Sequence, residues 1–147
     1  MNIGLIGVGG ALTLAAIGSA LGAGSAGMAA VGAWKKCFVQ NKPAPFMLVA
    51  FVGAPLTQTI YGFILMNALM EASAAGTDAG MLLGAGVLGG IAMGFSAWFQ
   101  GKSGAVASDA LAETGKGFGL YLMTIGMVET VALFVLVFSL GVLPSIS

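Results

Sequence analysis

Residues 3–33 carry no charge, and from Gly117 to Ser147 one side chain, Glu129, carries any. No other feature restricts this chain's folding so strongly. At about 1.5 Å per residue such runs are long enough to cross a hydrocarbon core of about 30 Å. Two further apolar runs lie between them. The pattern predicts four transmembrane helices, at approximately 3–34, 46–71, 79–106 and 114–143, the last stopped near Pro144. Residues 34–45 hold three lysines and two prolines and read as a loop. Residues 71–78 read as a short acidic loop. Residues 102–116 read as a polar linker whose ends are able to extend the flanking helices. Membrane β-strands do not fit, because the runs are continuously apolar and too long. A cleaved signal peptide is disfavoured, since no positive residue precedes the first run and the run is too long. The expected fold is an all-α membrane protein, with 1–147 as a single membrane domain.

Only 7% of the residues are charged, against about 25% in soluble proteins. Five lysines balance five acids, so no basic surface invites nucleic acid. There is no Arg and no His, which removes the commonest metal ligand and the usual general base. Cys37 alone makes neither a disulfide nor a metal cluster and reads as an unreactive loop thiol. All five lysines fall in the first and third connections, and acids flank the second. The positive-inside rule therefore places residues 34–45 and 102–116 in the cytoplasm, with both termini outside a cell membrane.

The helices are of two kinds. Gly18, Gly22, Ala26 and Ala30 recur every four residues in the first, and Gly86, Gly90 and Gly94 in the third. Such stripes let backbones approach closely. The second and fourth carry Phe46, Phe51, Phe63, Phe118, Phe134 and Phe138. This reads as two hairpins, 1–75 and 76–147, each with a glycine helix for an inner layer and a bulky helix for a lipid-facing one. Aligning residues 58–63 with 129–134 supports an internal duplication, with Gln58 where the second copy has Glu129.

Glu129 is the residue that calls for a function. A carboxylate at bilayer depth costs roughly 2.5–3.5 kcal/mol on insertion scales and marks a site by default. Thr57, Gln58 and Tyr61 lie within four residues on one broad helix face, just after Pro55, which leaves the Phe51 carbonyl without its usual donor. Gln100 ends the third run. Thr57, Gln58 and Gln100 offer oxygens, a carbonyl near Pro55 adds another, and Tyr61 is able to donate to Glu129. Taken singly, Thr, Gln and Tyr in a membrane helix are more often structural. Together with Glu129 they suit a hard cation such as Na⁺, which prefers oxygen ligands. A proton carrier needs only the carboxylate and an acceptor. Gln100 lies at the end of its run beside Lys102. To meet Glu129 its helix must begin deeper or continue past Lys102; otherwise Lys102 is placed to approach Glu129 itself.

With Pro55-Leu56-Thr57-Gln58-Thr59-Ile60-Tyr61, Phe99-Gln100-Gly101-Lys102 and Met127-Val128-Glu129-Thr130 in view, the whole chain resembles the proteolipid (c or K) subunit of V-type rotary ATPases, in particular the K subunit of bacterial sodium-translocating enzymes. The resemblance implies that Glu129 carries the ion. It also implies that Thr57, Gln58 and Gln100 are side-chain ligands, that Ala54 supplies a backbone carbonyl and that Tyr61 bonds Glu129. Ala54 and Leu56 stand where family members often have Leu and Gly. The implied assembly is a homo-oligomeric rotor ring of identical subunits. A stator subunit supplies the arginine that expels the ion, and the cytoplasmic loops meet the subunits of the central stalk. Such a protein is not an enzyme on its own, binds no organic cofactor, and has no phosphate-binding Gly-x-x-x-x-Gly-Lys-Ser/Thr loop. Na⁺ is the expected cargo, with H⁺ the alternative. A small proton-coupled multidrug exporter is the rival class, and it calls for an aromatic-lined cavity beside the acid. A membrane enzyme for thiol or lipid substrates is disfavoured by the lack of Arg and His and by the lone Cys37.

Overall fold

A computed structural model describes residues 3–143, so Pro144, expected to stop the last span, lies outside the described residues. The chain forms four long helices: Gly4–Val39, Leu48–Ala74, Ala79–Thr114 and Phe118–Val142. All four are long and apolar enough to cross a membrane, as expected of an integral membrane protein. No strand occurs among the described residues. The second helix is broken by one 3₁₀ turn, Ala54–Leu56, centred on Pro55. Proline has no N–H to continue the α pattern, and the helix resumes at Thr57.

The ends of the first and third helices lie furthest from those expected of the sequence. The first helix runs on to Val39 rather than ending near residue 34, and the third passes through Lys102 to Thr114 rather than giving way to a linker. Each is 36 residues, or about 54 Å, well beyond the hydrocarbon thickness. The extra turns form because the two helices support each other. Lys36 Nζ lies 3.3 Å from Glu113 and 3.9 Å from Asp109, and the Cys37 thiol is buried against the Ala112 carbonyl at 3.7 Å. Cys37 is thus a helix residue, not a loop residue. The third helix ends at Gly115 in the left-handed region (φ 67°), whose N–H returns to Leu111 at 2.8 Å. Its start is capped by Asp78, whose carboxylate accepts from the N–H groups of Gly80 and Met81 at 2.9 and 3.0 Å.

The first and third helices pack backbone to backbone. A methyl group on Gly86 would fall on the Gly7 carbonyl, one on Gly18 on the Gly94 backbone, and one on Gly101 on the Gly22 backbone. These glycines are there because nothing larger fits, which outweighs their low helix propensity. The two glycine helices are the more buried pair: 39% and 44% of their most apolar windows are buried, against 33% and 17% for the second and fourth. Buried side chains gather in two apolar clusters. One, around Leu65, Leu69, Met93 and Leu136, lies toward the acidic turn; the other, around Leu48, Phe51, Leu111 and Ile125, lies toward the lysine-bearing connections.

The close approach of Gly101 to Gly22 leaves no room for a methyl group. Gly101→Ala should cost about 1–3 kcal/mol, as overpacking of a closed interface does. Gly24→Ala, where an added methyl has nothing within 4 Å, should be neutral or stabilise by up to about 1 kcal/mol. Thermal unfolding of the detergent-solubilised protein measures both. Equal effects at the two positions would contradict a backbone-to-backbone helix contact.

Candidate ion-binding site

Between the two apolar clusters lies a band of polar side chains. Tyr61 packs against one cluster and Ala54 against the other. The broken turn sets one wall. The Ala54 carbonyl accepts the Thr57 N–H, and the Thr57 hydroxyl stands 3.0 Å from that carbonyl and 3.1 Å from Gln58 Oε1. One hydroxyl proton can serve only one of these acceptors at a time. Three oxygens, from Ala54, Thr57 and Gln58, therefore stand together. The Phe51 carbonyl, deprived of its donor by Pro55, abuts the third helix, where a methyl group on Gly104 would come within 2.9 Å of it.

From this wall the contacts cross three helices. Gln58 Nε2 donates to Gln100 Oε1 at 2.8 Å. Gln100 Nε2 lies 3.2 Å from Glu129 Oε2 and 3.3 Å from the Ile125 carbonyl. Tyr61 donates its hydroxyl proton to Glu129 Oε1 at 2.9 Å. Gln58 and Gln100 are fully buried, and Glu129 is partly exposed on the flank of the fourth helix. Each Glu129 oxygen thus has one neutral donor, and no ammonium among the described residues lies within ion-pair distance of it. A carboxylate held by neutral donors in a weakly solvated interior retains its attraction for a cation.

All six residues singled out from the sequence meet here: Ala54, Thr57, Gln58, Tyr61, Gln100 and Glu129. The depth of Gln100 is explained by the longer third helix, which leaves it about 21 Å of helix short of Thr114. Lys102 does not approach the acid. Its ammonium lies 4.3 Å from the centroid of the Trp98 ring and 5.1 Å from that of Phe99, a favourable cation–π arrangement on the surface.

Sequence reasoning missed Ser96. Its hydroxyl donates to the Val128 carbonyl at 2.8 Å and ties the fourth helix to the third one residue before Glu129. The signal was present, since Ser96 is four residues before Gln100 and shares its helix face. Among the described residues no three His, Cys, Asp or Glu side chains gather to hold a metal ion. The converging groups are instead amide, hydroxyl and carbonyl oxygens around one acid, a donor set suited to a hard monovalent cation or a proton.

Residues 83–141 match the ATP synthase C-subunit family. The match covers most of the third and fourth helices and includes Gln100 and Glu129. No curated protein matches the chain.

Proposed function

We propose that this chain, whose second hairpin matches the ATP synthase C-subunit family, is a non-catalytic, ion-carrying subunit of a V-type rotary ATPase. Identical copies form the rotor ring, and Glu129 is the carrier. One observation carries the reading: Tyr61 and Gln100, from two other helices, converge on the single acid of the fourth helix, and Gln58 bonds to Gln100 behind them. The ion enters next to the stator, neutralises Glu129 and rides past lipid, where an unpaired carboxylate is costly. On return a cationic group of the stator displaces it. This chain has no Arg to do so itself.

Na⁺ is the proposed cargo. Ala54 O, Thr57 Oγ1, Gln58 Oε1, Gln100 Oε1 and a Glu129 oxygen are five potential oxygen ligands on residues joined by successive contacts, more than a proton needs. Seating the ion requires the Gln58 N–H to turn away from Gln100 Oε1. Proton carriage is the alternative: a carboxyl proton on Glu129 needs an acceptor, which the Tyr61 oxygen supplies once its own proton turns away. The ends bearing Lys35, Lys36, Lys42, Lys102 and Lys116 are the proposed cytoplasmic side, where the central stalk would dock. Both termini then lie outside.

Mass measurement in mild detergent tests the assembly. A large closed ring of identical copies is expected. A monomer, dimer or trimer under conditions that preserve the helices would contradict the rotor reading and favour a small exporter.

A further inference from the structure

We infer that the Ser19 hydroxyl is a positioning group of the ion site, and that it takes the Gln58 amide N–H when a cation is held. The inference rests on the Na⁺ reading above. Ser19 is 2% exposed, and its hydroxyl has no hydrogen-bond partner among the described residues. Other helical hydroxyls in this chain bond back to their own backbone. Thr13, Ser25, Ser108 and Thr124 each donate to the carbonyl four residues earlier. Ser19 does not, although it lies in the middle of the first helix. An unpaired buried hydroxyl is costly and calls for an explanation.

Its position supplies one. The first and second helices pack antiparallel. A methyl group on Gly22 would lie 2.9 Å from Pro55 Cβ, and one on Gly62 would lie 2.7 Å from Ala15 Cβ. Ser19 is four residues after Ala15 and three before Gly22, so it shares their face. Gln58 is four residues before Gly62 and three after Pro55. Ser19 and Gln58 therefore stand level across the interface of these two helices, and both are buried.

The chemistry of the amide gives the hydroxyl its role. In the arrangement seen here Gln58 Nε2 points at Gln100 Oε1, and Gln58 Oε1 faces the Thr57 hydroxyl. A cation held by both amide oxygens is repelled by an N–H proton aimed straight at Gln100 Oε1. The Gln58 amide has to rotate, keeping its oxygen on the ion and swinging its N–H away. In a buried setting that N–H needs a new acceptor. Ser19 Oγ has two free lone pairs at this level. The hydroxyl is unpaired in one arrangement because it is paired in the other.

The test is Na⁺ protection of Glu129 against carbodiimide at fixed pH, in the purified protein and in Ser19→Ala, Gln58→Ala and the double variant. Ser19→Ala should need about fivefold to tenfold more Na⁺ for half-protection, the loss expected of one buried hydrogen bond. Its labelling across pH without Na⁺ should superimpose on that of the parent. The double variant should be no worse than Gln58→Ala, because Ser19 acts through that side chain. Should Ser19→Ala fail to assemble, Ser19→Gly also lacks the hydroxyl and should show the same shift. If the parent is protected and Ser19→Ala is protected at the same Na⁺ concentration, the role of Ser19 is overturned and the Na⁺ reading stands. Additive losses in the double variant, or an equal shift without Na⁺, likewise overturn it in favour of packing. A parent that Na⁺ does not protect overturns the Na⁺ reading and this inference together.

Discussion

Glu129→Gln is expected to abolish ion transport by the assembled complex while leaving the ring intact. The amide keeps the size of the side chain and one oxygen that can accept from Tyr61, whose hydroxyl lies 2.9 Å from Oε1. It loses the charge that a cation answers, and it cannot take up a proton to become neutral. The surrounding contacts do not depend on that charge: the glycine interface of the first and third helices and the two apolar clusters lie elsewhere. Assembly should therefore survive, with stability unchanged or slightly higher, since a costly partly buried charge is gone. Ion uptake by vesicles carrying the reconstituted complex, together with ring mass, separates the two properties. Transport at the parental rate would sink the assignment of Glu129 as carrier.

The second large effect is expected at Gln100. Its amide hydrogen-bonds to both the second and the fourth helices, through Gln58 and through Glu129 and the Ile125 carbonyl. Gln100→Ala removes a proposed ligand, leaves the buried Gln58 N–H without its acceptor, and takes one donor each from Glu129 and the Ile125 carbonyl. Loss of even a supporting partner at a metal site typically costs about 10–100-fold in affinity, and Gln100 is proposed to touch the ion directly. Na⁺ affinity should fall by at least that factor, read by isothermal calorimetry or by Na⁺-dependent thermal shift. The orphaned Gln58 N–H should also cost about 1–3 kcal/mol in stability. Ser103→Ala is a suitable control. Its exposed hydroxyl bonds only to the Phe99 carbonyl of its own helix, so its affinity should match the parent's. Equal Na⁺ affinity in Gln100→Ala and Ser103→Ala would remove Gln100 from the ligand set.

Much of this site was legible in the sequence because the membrane leaves so few alternatives. In a chain with five acids, one in the centre of an apolar run is conspicuous, and Pro55 followed by Thr57, Gln58 and Tyr61 marks a broken, polar segment. The ends of the second helix and the start of the fourth lie beside signals visible in the sequence: Pro45, the acidic turn and the Gly115–Gly117 pair. Charge was less informative where helices leave the bilayer. Lys35 and Lys36, and the stretch after Lys102, read as loop because polarity there marks the edge of lipid, not the end of a helix. What keeps these residues helical is pairing between distant positions, Lys36 with Glu113 and Cys37 with Ala112, which local pattern does not display. The same holds for Ser96 and Ser19. A lone serine in an apolar run is usually back-bonded; only the packed structure shows that one reaches the Val128 carbonyl and that the other has no partner among the described residues.

Glu129 is proposed to carry a cation held by the oxygens around it. That role is tested most directly by carbodiimide labelling of Glu129 across pH, with and without Na⁺, since the reagent attacks the protonated carboxyl. The expected result is protection by Na⁺ at fixed pH and a labelling midpoint that moves to lower pH as Na⁺ rises, because the two ions compete for one site. Labelling that follows pH alone, at every Na⁺ concentration, would contradict it: Glu129 would then carry protons, and the oxygens of Ala54, Thr57, Gln58 and Gln100 would serve only to hold the helices together.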